Sequence, residues 1–133
     1  ADNLQRISLQ SLNGKTVIVA FVKNIYSPVS ESLIYHLNNV SKKIEDLTVI
    51  IVDVNDSDFP LLKKFKEEMN AKNVILTADS YIYKEFKTKL SITPPSILII
   101  DKYGFIRYLA KGINYTSVKN IEKEIPEILK NLS

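Results

Sequence analysis

Apolar positions along the chain follow two rhythms: unbroken β-branched runs, and stripes recurring at helical spacing. Thr16–Val22 is a continuous run of the first kind, and apolar residues at every step call for cover on both faces of a central strand. Asn13-Gly14 just before it favours a tight turn, and Ile7 and Leu9 alternate with polar neighbours as in a short edge strand over 7–10. Behind Pro28 the pattern changes. Val29, Leu33, Leu37, Val40 and Ile44 lie on one stripe of a helix, with Ser27 as its N-cap and Pro28 in the first turn, where a missing N–H does no harm.

The same reading predicts a second buried strand over 47–54, a loop over 55–58 and a helix opened by Pro60 that carries Phe59, Leu62, Phe65 and Met69. A short strand at 74–76 precedes a helix from about Ser80, marked by Ile82, Phe86 and Leu90. Ser96–Ile100 is another long apolar strand, entered through Pro94-Pro95, and Tyr103-Gly104 turns it into a hairpin partner over 105–109. The last helix carries Val118, Ile121, Ile125, Ile128 or Leu129, and Leu132, with Thr116 as its N-cap and a kink expected at Pro126. Strands alternating with helices and closing on a hairpin predict a three-layer α/β/α sandwich with a mixed central sheet. No repeat or linker breaks the 133 residues, so one domain is expected over 1–133.

Composition narrows the function. A net charge of +3, from 18 basic and 15 acidic residues with interleaved signs, gives no basic stripe for nucleic acid. Lys42-Lys43 and Lys63-Lys64 read as solvated helix faces, and Tyr81, Tyr83, Tyr103, Tyr108 and Tyr115 form no base-stacking array with basic residues. No apolar stretch reaches the length of a membrane span, and residues 1–12 lack the regions of a signal peptide. Membrane attachment is therefore expected only through an anchor outside this sequence. The chain has no cysteine, which excludes disulfides, thiolate metal sites and a cysteine nucleophile as it stands. His36 has no partner at ligand spacing and reads as a surface or boundary residue. Asp53, Asp56 and Asp58 lack the glycine and terminal glutamate of a calcium loop and read as loop and capping residues. Neither a metal nor a cofactor is expected.

Two segments at strand ends remain: Tyr26-Ser27-Pro28-Val29-Ser30 after the first central strand, and Thr93-Pro94-Pro95-Ser96 before another. With Asn13-Gly14-Lys15 upstream, and Asp101-Lys102-Tyr103-Gly104 and Gly112 downstream, their order resembles the thioredoxin superfamily. The closest resemblance is to the TlpA/ResA-like thiol–disulfide oxidoreductases, and it covers nearly the whole chain. The resemblance implies a thioredoxin-like fold, a cis bond at Pro95, and Ser27 and Ser30 at the positions of the attacking and resolving cysteines. Tyr26, Pro28, Val29, Pro94 and Pro95 would then contact substrate. A thiolate in the first turn of a helix is stabilised by unpaired N–H groups and the positive end of the helix dipole, and a serine hydroxyl does not ionise there. The strand over 16–22 carries no acid, so the buried carboxyl of thioredoxins is absent from that place.

Simultaneous replacement of both sulfurs by their nearest isostere points to a double Cys→Ser form of an oxidoreductase. Its partners would be protein thiols and disulfides and an upstream thiol or disulfide donor, in an extracytoplasmic setting. The alternative is a naturally redox-dead module that binds proteins between the 27–30 turn and Pro95. A peroxiredoxin-like peroxidase would need a cysteine in a Pro-x-x-x-Thr-x-x-Cys setting, which is missing.

Overall fold

The computed structural model describes residues 15–132. The edge strand expected over 7–10 and the Asn13-Gly14 turn lie outside the described residues. Among the described residues five strands form one mixed sheet: β1 (Thr16–Val22), β2 (Leu47–Asp53), β3 (Ile75–Ala78), β4 (Ser96–Ile100) and β5 (Ile106–Ala110). Their order is β3-β2-β1-β4-β5, so β1 is central as its apolar run requires. β1 runs parallel to β2 and antiparallel to β4.

The alternation along β1 divides the core in two. Ile18, Ala20 and Val22 pack on one face with Leu33, Ile34 and Leu37 of α1 (Pro28–Lys43), while Val17, Val19 and Phe21 pack on the other. The first face is also covered by Phe65 of α2 (Leu62–Met69) and by Ile121 and Ile125 of α5 (Ile121–Lys130). The second is covered by Tyr83, Phe86 and Leu90 of α3 (Ser80–Leu90), with both rings tilted against Phe21 at 5.7 and 5.4 Å. The result is the three-layer α/β/α arrangement. Each fully buried side chain of this size contributes about 1.5–3 kcal/mol of transfer free energy, so the two faces of β1 anchor the sheet.

Several boundaries differ from the sequence reading. The loop expected over 55–58 is instead largely part of a 3-10 helix, Asp56–Leu61. Asn55 caps it by accepting the Ser57 N–H at 3.1 Å, and Pro60 sits inside it rather than opening α2. The Leu62 N–H closes a tight turn on the Phe59 carbonyl, and the chain then widens into α2. Phe105 is spent on the turn before β5, where its N–H and carbonyl both bond to Asp101. The C-terminal element splits into α4 (Tyr115–Val118) and α5. Its cap is Asn114, not Thr116: Asn114 Oδ1 accepts the Ser117 N–H at 2.8 Å, and Ser117 Oγ accepts the Asn114 N–H at 3.2 Å. The interruption falls before α5 begins, and Pro126 lies within α5 without ending it.

The α1–α5 contact has a polar lock. Glu122 Oε2 pairs with His36 Nδ1 at 2.5 Å and accepts from Asn39 Nδ2 at 3.2 Å, with Lys43 Nζ at 3.8 Å from Oε1. The His36 hydrogen bond, against the opposing effect of burial, holds the Glu122 carboxyl below the usual glutamate range, with help from Asn39 and Lys43. His36 is thus a boundary residue tied to α5.

Candidate functional site

Strand register brings three loops to one end of the sheet. Phe21 pairs with Ser96 across the antiparallel β1–β4 ladder, so the chain leaving β1 meets the chain entering β4. Val22 pairs with Asp53 in the parallel ladder, so the segment leaving β2 arrives there too. This end of an α/β sheet, beyond the carboxyl ends of its parallel strands, is where such folds place ligands.

The turn after β1 is fastened by Asn24, whose side chain accepts the Tyr26 N–H at 2.9 Å and whose carbonyl accepts the Ser27 N–H at 3.0 Å. Ser27 then has the extended backbone of an N-cap, with φ −71° and ψ 151°. Its Oγ accepts the Ser30 N–H at 3.2 Å and donates to Ser30 Oγ at 2.8 Å. Ser27 is half-buried and Ser30 is only 1% exposed. Tyr26 is 41% exposed and stands edge-on to Phe65 at 5.2 Å.

The Pro94–Pro95 peptide bond is cis. Its loop is held by the segment that follows β5: the Ile113 N–H donates to the Pro95 carbonyl at 2.8 Å and the Gly112 N–H to that of Thr93 at 3.4 Å. Gly112 adopts φ +56°, a conformation that side chains disfavour. Between this loop and the head of α1 lies an open cleft of about 550 Å³. Of the residues singled out in the sequence, Ser27, Val29, Ser30, Pro94 and Pro95 line it, whereas Tyr26 and Pro28 do not.

The lining also includes Lys23, Asn24, Asn55 and Ile113, which the sequence reading does not single out, and Asp58, which it reads only as a loop or capping residue. Their signal lay in the strand ends, since each follows a strand that stops at this pole. Asp53 was misread. It is the last residue of β2, wholly buried, and its Oδ1 accepts the Asn55 N–H at 2.9 Å. Burial, then a hydrogen bond and charge repulsion from Asp58, push its carboxyl up to about 7 against the opposing N–H bonds of Asn55 and Ile25. The acid lacking from β1 is present one strand over.

At the opposite pole Asp101 shapes the β4–β5 turn. It accepts the N–H groups of Tyr103 and Phe105 at 2.9 and 3.0 Å and faces Arg107 at 3.2 Å, while Gly104 takes φ +94°. Burial alone would raise its carboxyl, but the donors of Phe105, Arg107 and Tyr103 outweigh it and hold Asp101 below the usual aspartate range. The Asp-x-x-Gly signature is therefore a turn device, far from the cleft.

Two hydroxyls in the first helical turn can cap, donate and accept. They offer no thiolate. Among the described residues no group of three or more His, Cys, Asp or Glu side chains is placed to hold a metal ion, and no helix is long and apolar enough to cross a membrane.

No curated protein sequence matches the chain. Solved structures do. A secreted Mycobacterium tuberculosis disulfide oxidoreductase homologous to Escherichia coli DsbE superposes with a TM-score of 0.67 at 15% identity, over 89% of this chain and 85% of that one. The exposed lipoprotein thioredoxin of Streptococcus pneumoniae gives 0.66 at 18% identity, over 92% and 89%. A peroxiredoxin-like protein from Aquifex aeolicus gives 0.62 at 22%, over 85% and 73%. At these identities the likeness is one of fold, and the fold is thioredoxin-like. The Redoxin family model matches residues 1–125, nearly the full length, and the chain therefore belongs to the Redoxin family, among the thioredoxin-like proteins that its own motifs resemble.

Proposed function

We propose that the cleft is the exchange site of a thiol–disulfide oxidoreductase, and that this chain is its double Cys→Ser form, able to present the site but not to react. The observation that carries this reading is the 2.8 Å contact between the Ser27 and Ser30 hydroxyls at the head of α1, in a cleft shared with Pro95. Sulfurs at these two positions would need to close only to about 2.05 Å to form a disulfide. With cysteines at 27 and 30, a thiolate at 27 attacks a substrate disulfide, forming a mixed disulfide and releasing one substrate thiolate. The thiol at 30 gives up its proton and attacks the sulfur at 27, which releases the second substrate thiolate and leaves the 27–30 disulfide. An upstream thiol donor then reduces that disulfide.

Substrates on this reading are protein disulfides or thiols, held by Val29, Pro94 and Pro95 in the cleft, with Tyr26 and Pro28 on its rim. No cofactor is needed. An extracytoplasmic setting is supported by the secreted and surface-exposed thioredoxin-like neighbours. The chain as it stands retains the second capacity alone, binding without exchange, because both hydroxyls are mutually satisfied and neither ionises.

Insulin reduction with dithiothreitol as the upstream reductant tests the proposal. The Ser27→Cys/Ser30→Cys variant should turn over insulin and form an internal disulfide detectable by mass, while the serine form stays at background. A double-cysteine variant that folds yet neither cycles nor closes its disulfide would leave a binding module.

A further inference from the structure

Among the described residues Asp53 is the one fully buried carboxylate at the cleft end of the sheet, and half of it is unaccounted for. One oxygen accepts the Asn55 N–H at 2.9 Å, and the Ile25 N–H is near enough to favour the charged form of this carboxylate. The other, Oδ2, is buried with no hydrogen-bond donor in reach among the described residues. An unmet buried carboxylate oxygen is costly, and such atoms call for an explanation. The neighbour in hydrogen-bond relation to Asp53 is itself a carboxyl, Asp58 of the 3-10 helix, which also lines the cleft. Two carboxylates have only acceptors to offer each other. One proton between them turns the contact into a short O–H···O bond and satisfies Oδ2.

We propose that Asp53 and Asp58 form an acid pair that holds one shared proton at neutral pH and latches the 3-10 helix to the end of β2, as one wall of the cleft. The latch joins all three loops of the site. Asp53 accepts the N–H of Asn55, which caps the 3-10 helix, and feels the N–H of Ile25, just ahead of Tyr26-Ser27. Its own carbonyl accepts the Asp79 N–H at 2.9 Å from the loop after β3. Of the charged residues near this end, Lys23 lines the same cleft, Asp79 adjoins through its backbone, and Glu31 sits in the first turn of α1. Among the described residues, Asp58 is the charged group that acts on the ionisation of Asp53.

Loss of the proton sets two buried-side charges against each other and leaves the latch without its bond. The 3-10 helix is the mobile partner, because a short 3-10 segment is held by weaker hydrogen bonds than β2 is by its two ladders. The charge beside the cleft also changes: Lys23 of the lining balances a singly charged pair, and a second charge, on Asp53 behind the lining, leaves this end of the sheet more negative. Whatever the cleft binds therefore meets a different wall and a different charge on the two sides of neutrality. This holds whether or not positions 27 and 30 carry sulfur, so it stands or falls separately from the exchange chemistry.

Carboxyl 13C NMR of the full chain from pH 4 to 9 tests the pair. The Asp53 carboxyl should titrate near pH 7, and the amides of Ile25, Asn55 and Ser57 should shift with the same midpoint. In Asp58→Asn, an amide donor replaces the shared proton, and the Asp53 midpoint should drop by about one unit or more. Asp53→Asn should abolish the neutral transition of all three amides. An Asp53 midpoint in the ordinary aspartate range, or one that Asp58→Asn leaves unmoved, overturns the pair.

Discussion

The Ser27 hydroxyl is bound twice to Ser30, accepting its N–H at 3.2 Å and donating to its Oγ at 2.8 Å. A single side chain thus caps α1 and sets the spacing of the two hydroxyls facing the cleft. Cap and site are one device. The residue type that suits an N-cap, small with an oxygen on Cβ, is also the nearest isostere of cysteine, so the head of α1 keeps its geometry without sulfur.

Ser27→Ala should therefore destabilise the protein by about 1 kcal/mol, and Ser27→Gly by only a few tenths, since glycine tolerates the cap conformation. Urea unfolding followed by far-UV circular dichroism measures both. Equal losses in the two variants would mean that Ser27 contributes through burial rather than capping.

Asp101 predicts an acid-side loss. Its folded carboxyl is held below the unfolded value of 3.8, so its stabilisation is present above that value and disappears as pH falls through the folded one. Hydrogen bonds to charged groups contribute about 1.5–3 kcal/mol. Asp101→Ala should lower stability by about that amount at pH 7, and the gap to the parent chain should narrow below pH 4. A gap independent of pH would assign the loss to packing alone.

Much of this was legible in the sequence, and the reason is physical. The run Thr16–Val22 could only be central because no position along it is polar after Thr16, and the stripe of Leu33, Leu37 and Val40 could only face the sheet. The order of Tyr26–Ser30, Pro95 and Gly104 exposed the family. What escaped were contacts fixed by register and by competition among caps. Nothing local reveals that Val22 lies beside Asp53, and a run of Asp and Asn residues looks like a solvated loop whether or not one of them is buried. The choice of Asn114 over Thr116 as a cap turned on Ser117 being able to reciprocate.

Asp53 predicts the opposite slope from Asp101. Its folded carboxyl is raised from 3.8 to about 7, so its contribution is fully present below the lower value and is lost as pH rises through the upper one. Asp53→Asn keeps an acceptor for the Asn55 N–H and supplies a donor toward Asp58. The variant should melt several degrees higher than the parent at pH 8, for about 1–3 kcal/mol of relieved burial, and no higher at pH 4. Differential scanning calorimetry at the two pH values decides; a variant less stable at pH 8 would show that the charged carboxylate is an asset there.

The thiol introduced by Ser27→Cys separates an exchange site from a binding site. A free thiol has a pKa of about 8.5. At position 27 it meets the head of a sixteen-residue helix, the Ser30 N–H and the Ser30 hydroxyl, each of which favours the thiolate. A helix N-terminus stabilises charge by about 0.3–1 kcal/mol when exposed and by as much as about 2 when partly buried. Since one pKa unit corresponds to about 1.4 kcal/mol, a fall on the order of one unit follows. Against it act the partial burial of position 27 and the carboxyl of Asp58 across the cleft, with Lys23 on the same lining in opposition to Asp58. The donors are in contact and the opposing charge is not, so the net shift should be downward. Absorbance titration at 240 nm, run under reducing conditions, reads the thiolate directly. Adding Ser30→Ala should take back part of the fall, because the hydroxyl donor is lost while the helix remains. A thiol at or above the free value in the single variant would mean that the head of α1 is not built for exchange, and binding without chemistry would then be the function of the cleft.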